Sequence, residues 1–242
     1  IHDSHGNLTG IIASFTDLTE MAKMREELKR QDRLAAVGEL SAGLAHEIRN
    51  PVAAIRGAVD ELKGSLDTPQ IAERLAGIAT RESDHLNRIV TDFLDFARRP
   101  EVRRETFSVV DLVQEVAELL RGKYRGRDGL EIRADAPPSN CLVSGDRSQI
   151  KQVFMNIAKN GIEAMDERGV LNVAVLPDST SVEVRFDDEG AGIPPDELAR
   201  IFEPFYTTKA NGVGMGLAVC MRIVTAHDGI LRATPREAGG TS

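Results

Sequence analysis

His46, Glu47 and Asn50 are the first residues whose types and spacing can do chemistry. They lie in a stretch of helical periodicity where Leu44 and Ile48 belong to an apolar stripe, and His46 is two residues from each. Two residues turn about 200° around a helix, so His46 points away from that stripe into solvent. Asn50, four residues on, shares the exposed face, and Glu47 sits adjacent. A solvent-facing imidazole with a carboxylate beside it can be polarised at one ring nitrogen and made nucleophilic at the other. On spacing alone the same pattern fits an ordinary surface histidine.

A second set lies nearer the C-terminus. Asn156 and Asn160 stand four apart on one face of a helix predicted from about Arg147 to Asp166, with Glu163 one turn beyond. An amide oxygen is a hard, neutral ligand suited to Mg²⁺, which keeps waters and phosphate oxygens as its other ligands. Asp188-Glu189-Gly190-Ala191-Gly192 follows a predicted strand. A carboxylate there can accept from the exocyclic amine of adenine, and Gly190 and Gly192 let backbone approach a ring closely; a tight acidic turn reads the same way. Thr207, Thr208 and Lys209 offer donors to phosphates. Gly212, Gly214 and Gly216, followed by Leu217, open a helix whose N-terminal amides and dipole suit an anion. Many loops carry a lone Gly-x-Gly-x-Gly.

The strings around these residues resemble a known family. His-Glu-Ile-Arg-Asn-Pro at 46–51, preceded by Ala-Ala-Val-Gly-Glu-Leu-Ser-Ala-Gly-Leu-Ala, resembles the phosphoacceptor box of two-component sensor histidine kinases. Gln152 to Asn160 resembles the family's asparagine box, and Phe202-Glu203-Pro204-Phe205 resembles its phenylalanine box running into a short lid of the nitrogen-regulation type. Asp188 to Gly192, Gly212 to Leu217, and the closing His227-Asp228-Gly229 and Gly239-Gly240-Thr241 complete a similar order. Gly161 stands where the family often has Ala, and Met215 where it usually has Leu.

The resemblance implies a Bergerat-type nucleotide fold, ATP and Mg²⁺ as cofactors, and ATP-dependent phosphorylation of His46, with Glu47 as base. It implies Asn160 as metal ligand, Asn156 on the phosphate side, and transfer to an aspartate in the receiver domain of a separate response regulator. Asn50 falls where such kinases position water for phosphatase activity toward that regulator. The rivals are an ATPase of the same fold and a catalytically silent dimeric scaffold. The related ATPases resemble one another in a water-activating Glu one turn before the metal-binding Asn; here that position is Asn156, which is no base.

These groups need elements to hold them. A helical pattern runs from Glu20 to about Leu66, beginning with a looser coiled-coil-like stretch at Met21, Met24 and Leu28. Its apolar stripe comprises Val37, Leu40, Leu44, Ile48, Val52, Ile55, Val59, Leu62 and Leu66. Pro51 should bend it. A second helix begins near Pro69, carries Ile71, Leu75, Ile78, Leu86, Ile89, Phe93 and Phe96 on one face, and stops before Pro100. Two helices cannot cover both stripes, so the pattern predicts an antiparallel hairpin paired with a second copy in a dimeric four-helix bundle.

After a basic linker (Arg98, Arg99, Arg103, Arg104), helices near 108–121 and 215–226 and strands near 129–134, 170–176 and 181–187 alternate irregularly, which favours an α+β multidomain chain ending in an α/β sandwich. The expected domains are 1–19, resembling the end of a PAS sensor domain, then 20–103 for coiled-coil entry, dimerisation and phosphotransfer, and 104–242 for ATP binding. The nucleotide domain is expected to swing on the linker near 98–105. A net charge of −8 argues against a nucleic-acid partner. Cys141 and Cys220 lack metal-ligand spacing and read as packing residues. No window reaches the roughly 18 to 20 apolar residues of a membrane span. Because Ile1 is not an initiator methionine, the chain is read as a fragment that is cytoplasmic, with membrane attachment only through an upstream segment.

Overall fold

The computed structural model describes residues 19–64, 68–97, 101–137, 141–209, 212–236 and 239–242, with the helical backbone alone at 19, 21–42 and 95. The PAS-like reading of the first residues, the side chains of the coiled-coil stretch, and Arg98 and Arg99 lie outside what is described. By internal contacts the chain forms two compact units, 1–42 and 43–242.

Helix α1 (Thr19–Gly64) runs through Pro51 in one assigned helix, and Pro51 itself is fully buried. Helix α2 (Pro69–Ala97) starts where Pro69 supplies a preset φ, with Thr68 O accepting from the amides of Ile71 and Ala72. The apolar stripes follow the expected period but are only partly covered within one chain. Leu75 and Ile89 are buried, whereas Val52, Val59, Ile71, Val90 and Leu94 are exposed.

The following α/β part comprises β1 (Glu105–Ser108), α3 (Val109–Lys123), β2 (Leu130–Asp135), β3 (Leu142–Gly145), α4 (Arg147–Ala164), β4 (Gly169–Pro177), β5 (Val182–Asp187) and α5 (Gly216–Ala226). β2 pairs parallel with β4, and β4 pairs antiparallel with β5. Alternate residues Leu171, Val173 and Val175 of β4 turn inward, and Phe186 of β5 joins them. Against them pack Leu112, Val116 and Leu120 of α3, Phe154, Ala158 and Ile162 of α4, and Val219, Cys220 and Ile223 of α5. This is the expected sandwich of helices on a sheet.

β1 and β3, which the sequence pattern did not reveal, form a separate antiparallel pair with Phe107 opposite Val143. The linker before them is not free along its whole length. Arg103 N donates to Asp146 Oδ2 at 3.2 Å, Gln149 Nε2 to Glu101 O at 3.0 Å, and Arg104 Nη2 meets Asp228 Oδ2 at 2.7 Å. Glu101, Arg103 and Arg104 are therefore each tied by hydrogen bonds to α4, its cap or the residues after α5.

Candidate active site

A cavity of about 1410 Å³ opens between α4, the segment after β5, the loops running to α5, and the C-terminal residues. Its most buried polar group is Asp188. Asp188 Oδ1 accepts from Gly190 N at 2.9 Å and Thr241 N at 3.2 Å, and Asp188 N donates to Thr241 O at 3.0 Å. Burial pushes this carboxyl pKa above its usual range, against the opposing pull of those amides and of Arg236. Gly190 does not line the cavity. It packs under it, where an added Cβ would stand 2.7 Å from Ala164 O, so only glycine fits between α4 and the Asp188 turn.

α4 brings Asn160 and Glu163 to the cavity wall. Lys209 reaches them from the opposite loop, its Nζ lying 3.1 Å from Asn160 Oδ1 and 2.5 Å from Glu163 Oε2. Asn156, one turn earlier, is not on the wall; its side chain bonds the thiol of Cys220, whose pKa burial pushes up to about 12. Cys220 is thus a packing residue, as its sequence context suggested.

Gly192, Thr207, Thr208, Lys209, Gly212, Gly214, Gly216 and Leu217 all line the cavity. Lys209 N donates to Thr207 Oγ1 at 3.1 Å, which tightens the loop. Gly214 has φ +69° and would place a Cβ 2.5 Å from the Phe205 carbonyl carbon. Met215, the cap residue of α5, makes no side-chain cap bond, so among the described residues the first-turn amides are open to an anion.

The loops also reach the hairpin. Val213 and Met215 form one buried cluster with Ile89 of α2, and Leu44, Ile48, Phe96 and Phe205 pack around it. Arg222 of α5 lies 4.6 Å from the Phe96 ring centre. His46, on the other face of α1, is exposed, Asn50 is exposed and Glu47 is half-buried; none of the three lines the cavity. Asp92 of α2 does line it, and the sequence reading missed it. The signal was available: Asp92 is three residues after Ile89 and four before Phe96, a carboxylate on an otherwise apolar stripe.

The arrangement joins a buried carboxylate, uncapped helix amides and a pair of hard oxygen ligands, a set suited to a nucleoside polyphosphate. Asn160 fits a Mg²⁺ position chemically, because the Lys209 ammonium already stands on its oxygen as a cation would. Among the described residues no cluster of three or more His, Cys, Asp or Glu side chains could hold a metal ion.

Residues 36–101 match the His Kinase A (phospho-acceptor) domain, and 145–242 match the histidine kinase-, DNA gyrase B- and HSP90-like ATPase domain. The solved catalytic domain of histidine kinase ThkA is 31% identical, with 57% of this chain and 91% of that one aligned at a TM-score of 0.54. This chain belongs to the histidine kinase family. ThkA solved in complex with response regulator protein TrrA superposes on 93% of this histidine kinase chain and 66% of that one, at 32% identity and a TM-score of 0.80.

Among curated relatives, the signal transduction histidine-protein kinase AtoS of Escherichia coli K12 is 35% identical over 96% of the chain. Sporulation kinase E of Bacillus subtilis 168 is 36% identical over 95%. The chain spans only 38% and 31% of these two proteins' lengths. No helix among the described residues is long and apolar enough to cross a membrane.

Proposed function

We propose that this chain uses ATP to phosphorylate His46 and passes the phosphoryl group to an aspartate in the receiver domain of a separate response regulator. The observation that carries this reading is the cavity, where buried Asp188 and the oxygens of Asn160 and Glu163 line one space with the uncapped start of α5. Asp188 accepts from the adenine amine, and Gly192 lets the ring lie close. Asn160 would hold Mg²⁺, which when bound would offset triphosphate charge. The amides of Gly216 and Leu217, with Thr207, Thr208 and Lys209, hold the phosphates in line.

A ring nitrogen of His46 attacks the γ-phosphorus as the bond to the ADP oxygen breaks, and Glu47 takes the ring proton. Asn50 orients water for the reverse flow from the regulator. Because His46 is exposed and does not line the cavity, the nucleotide domain has to move before transfer. Hydrolysis as the main reaction is disfavoured, since Asn156 is an amide engaged with Cys220 where a water-activating carboxylate would be needed.

The division into a sensor end at 1–19, a dimerisation and phosphotransfer part at 20–103, and an ATP-binding part at 104–242 belongs to the same proposal. So do a homodimer, a cytoplasmic site of action and any membrane attachment through an upstream segment. Exposed Val52, Val59, Ile71, Val90 and Leu94 favour the dimer, because each needs an apolar partner that one chain does not supply.

Calorimetric titration with ATP and Mg²⁺ tests the site. Asn160→Asp and Asp188→Asn should each weaken binding by tenfold or more, about 1.4 kcal/mol. Unchanged affinity in both would contradict the assignment.

A further inference from the structure

We infer that Lys209 is a gate on the metal position: without nucleotide its ammonium occupies the oxygens a metal needs, and metal-bound nucleotide must expel it. The inference rests on the nucleotide reading of the cavity above.

Lys209 and α4 are far apart in sequence, yet the lysine crosses the cavity to bond two residues spaced three apart on one helix face. A plain surface ion pair would need only Glu163. Here the second partner is the neutral amide oxygen of Asn160, a ligand suited to a hard cation, and all three residues line the cavity. The backbone of Lys209 is itself held, through Thr207 Oγ1, so the loop presents the ammonium in one direction.

The latch is built to open. The Lys209 and Glu163 side chains remain 40% and 49% exposed, so water screens the pair and its net strength is small. A doubly charged metal carrying phosphate oxygens competes for Asn160 Oδ1 and repels the ammonium. Once expelled, Lys209 is free to turn to the phosphates, where its charge is needed. Nucleotide without metal leaves the lysine in its seat, and there it serves as the cation beside the phosphates. The loop would thus change its arrangement for the metal-bound nucleotide and not for the free one.

ADP binding measured by calorimetry, in magnesium and in chelator, tests this on the whole chain, with wild type compared with Lys209→Met. The ratio of the two dissociation constants reports how much the metal adds. In Lys209→Met the chelator affinity should fall further than the magnesium affinity, because only with metal is the lost phosphate contact offset by a latch that no longer has to break. The ratio of the two constants should therefore rise several-fold. Lys209→Arg, which keeps the cation, should stay closer to wild type. If Lys209→Met lowers ADP affinity equally in both buffers, or changes it in neither, the ratio stays at the wild-type value, the lysine is no gate, and the inference is wrong while the nucleotide site stands. If wild type fails to bind ADP even with magnesium, the nucleotide reading itself fails and takes the gate with it.

Discussion

The backbone N–H of Asp146 donates to Nε2 of His227 at 2.8 Å, pinning the start of α4 to the end of α5. The other ring nitrogen, Nδ1, lies 2.8 Å from Ile223 O, so the imidazole carries its proton on Nδ1 and accepts at Nε2. Asp146 caps α4 with its side chain, accepting from Ser148 N and Gln149 N, each at 3.1 Å. These two helices bound the cavity, one through Asn160 and the other through Gly216. The closing His-Asp-Gly string therefore has a structural role: its histidine ties the start of α4 to the end of α5.

His227→Ala leaves the Asp146 amide without its acceptor and opens a gap beside Gly145, where an added Cβ would stand 2.8 Å from His227 Cδ2. The expected loss is about 1–3 kcal/mol of stability. Urea unfolding of the chain measures it; a midpoint equal to wild type would show the pin to be idle.

Asp188→Asn separates stability from recognition. Burial raises the carboxyl's pKa, so the folded state holds its proton more tightly than the unfolded state does. The charged form at neutral pH is then a cost to folding, which an uncharged amide avoids. The variant should be as stable as wild type or more so near neutral pH, and any advantage should shrink as pH falls through the raised pKa and wild type protonates. Thermal melts across pH check this, and a stability loss that grows toward neutral pH would contradict it.

Two glycines of the site should behave oppositely. Gly190→Ala drives a methyl into the Ala164 carbonyl and should unfold or badly destabilise the α/β part, whereas Gly216 has nothing within 4 Å of an added Cβ. Gly216→Ala should fold normally and weaken nucleotide binding, because the methyl intrudes only on a bound ligand. Melting temperature and ADP affinity measured on both variants distinguish structural crowding from ligand crowding.

The exposed hairpin valines predict assembly. Val59→Glu alters a side chain that is already 41% exposed in the single chain, so the fold should survive. In a four-helix bundle the same change buries an unpaired carboxylate and should dissociate it. Sedimentation should show a dimer for wild type and a monomer for the variant; equal masses would remove this argument for the bundle.

What could be read from the sequence divides along physical lines. Both long helices, α4, β4, β5 and α5 were legible because each carries enough residues for a period of 3.6 or 2 to emerge. Pro69 marks the start of the second helix by local chemistry. β1 and β3 were not legible: with four residues apiece they offer two inward positions each, and a run of arginines precedes the first. Their pairing is decided by partners dozens of residues away. Likewise the cavity-lining glycines announce themselves by type, while the turn of Asn156 toward Cys220 and the ties from Arg103 and Arg104 are long-range events with no local signature. Met215, a departure from the family's usual leucine, became intelligible only beside Ile89.

The central claim is that His46 accepts the phosphoryl group. Incubation of the chain with γ-labelled ATP and Mg²⁺ should place label on the protein that is lost in acid and kept in base, and His46→Gln should abolish it. Label that persists in the His46→Gln chain would contradict the account.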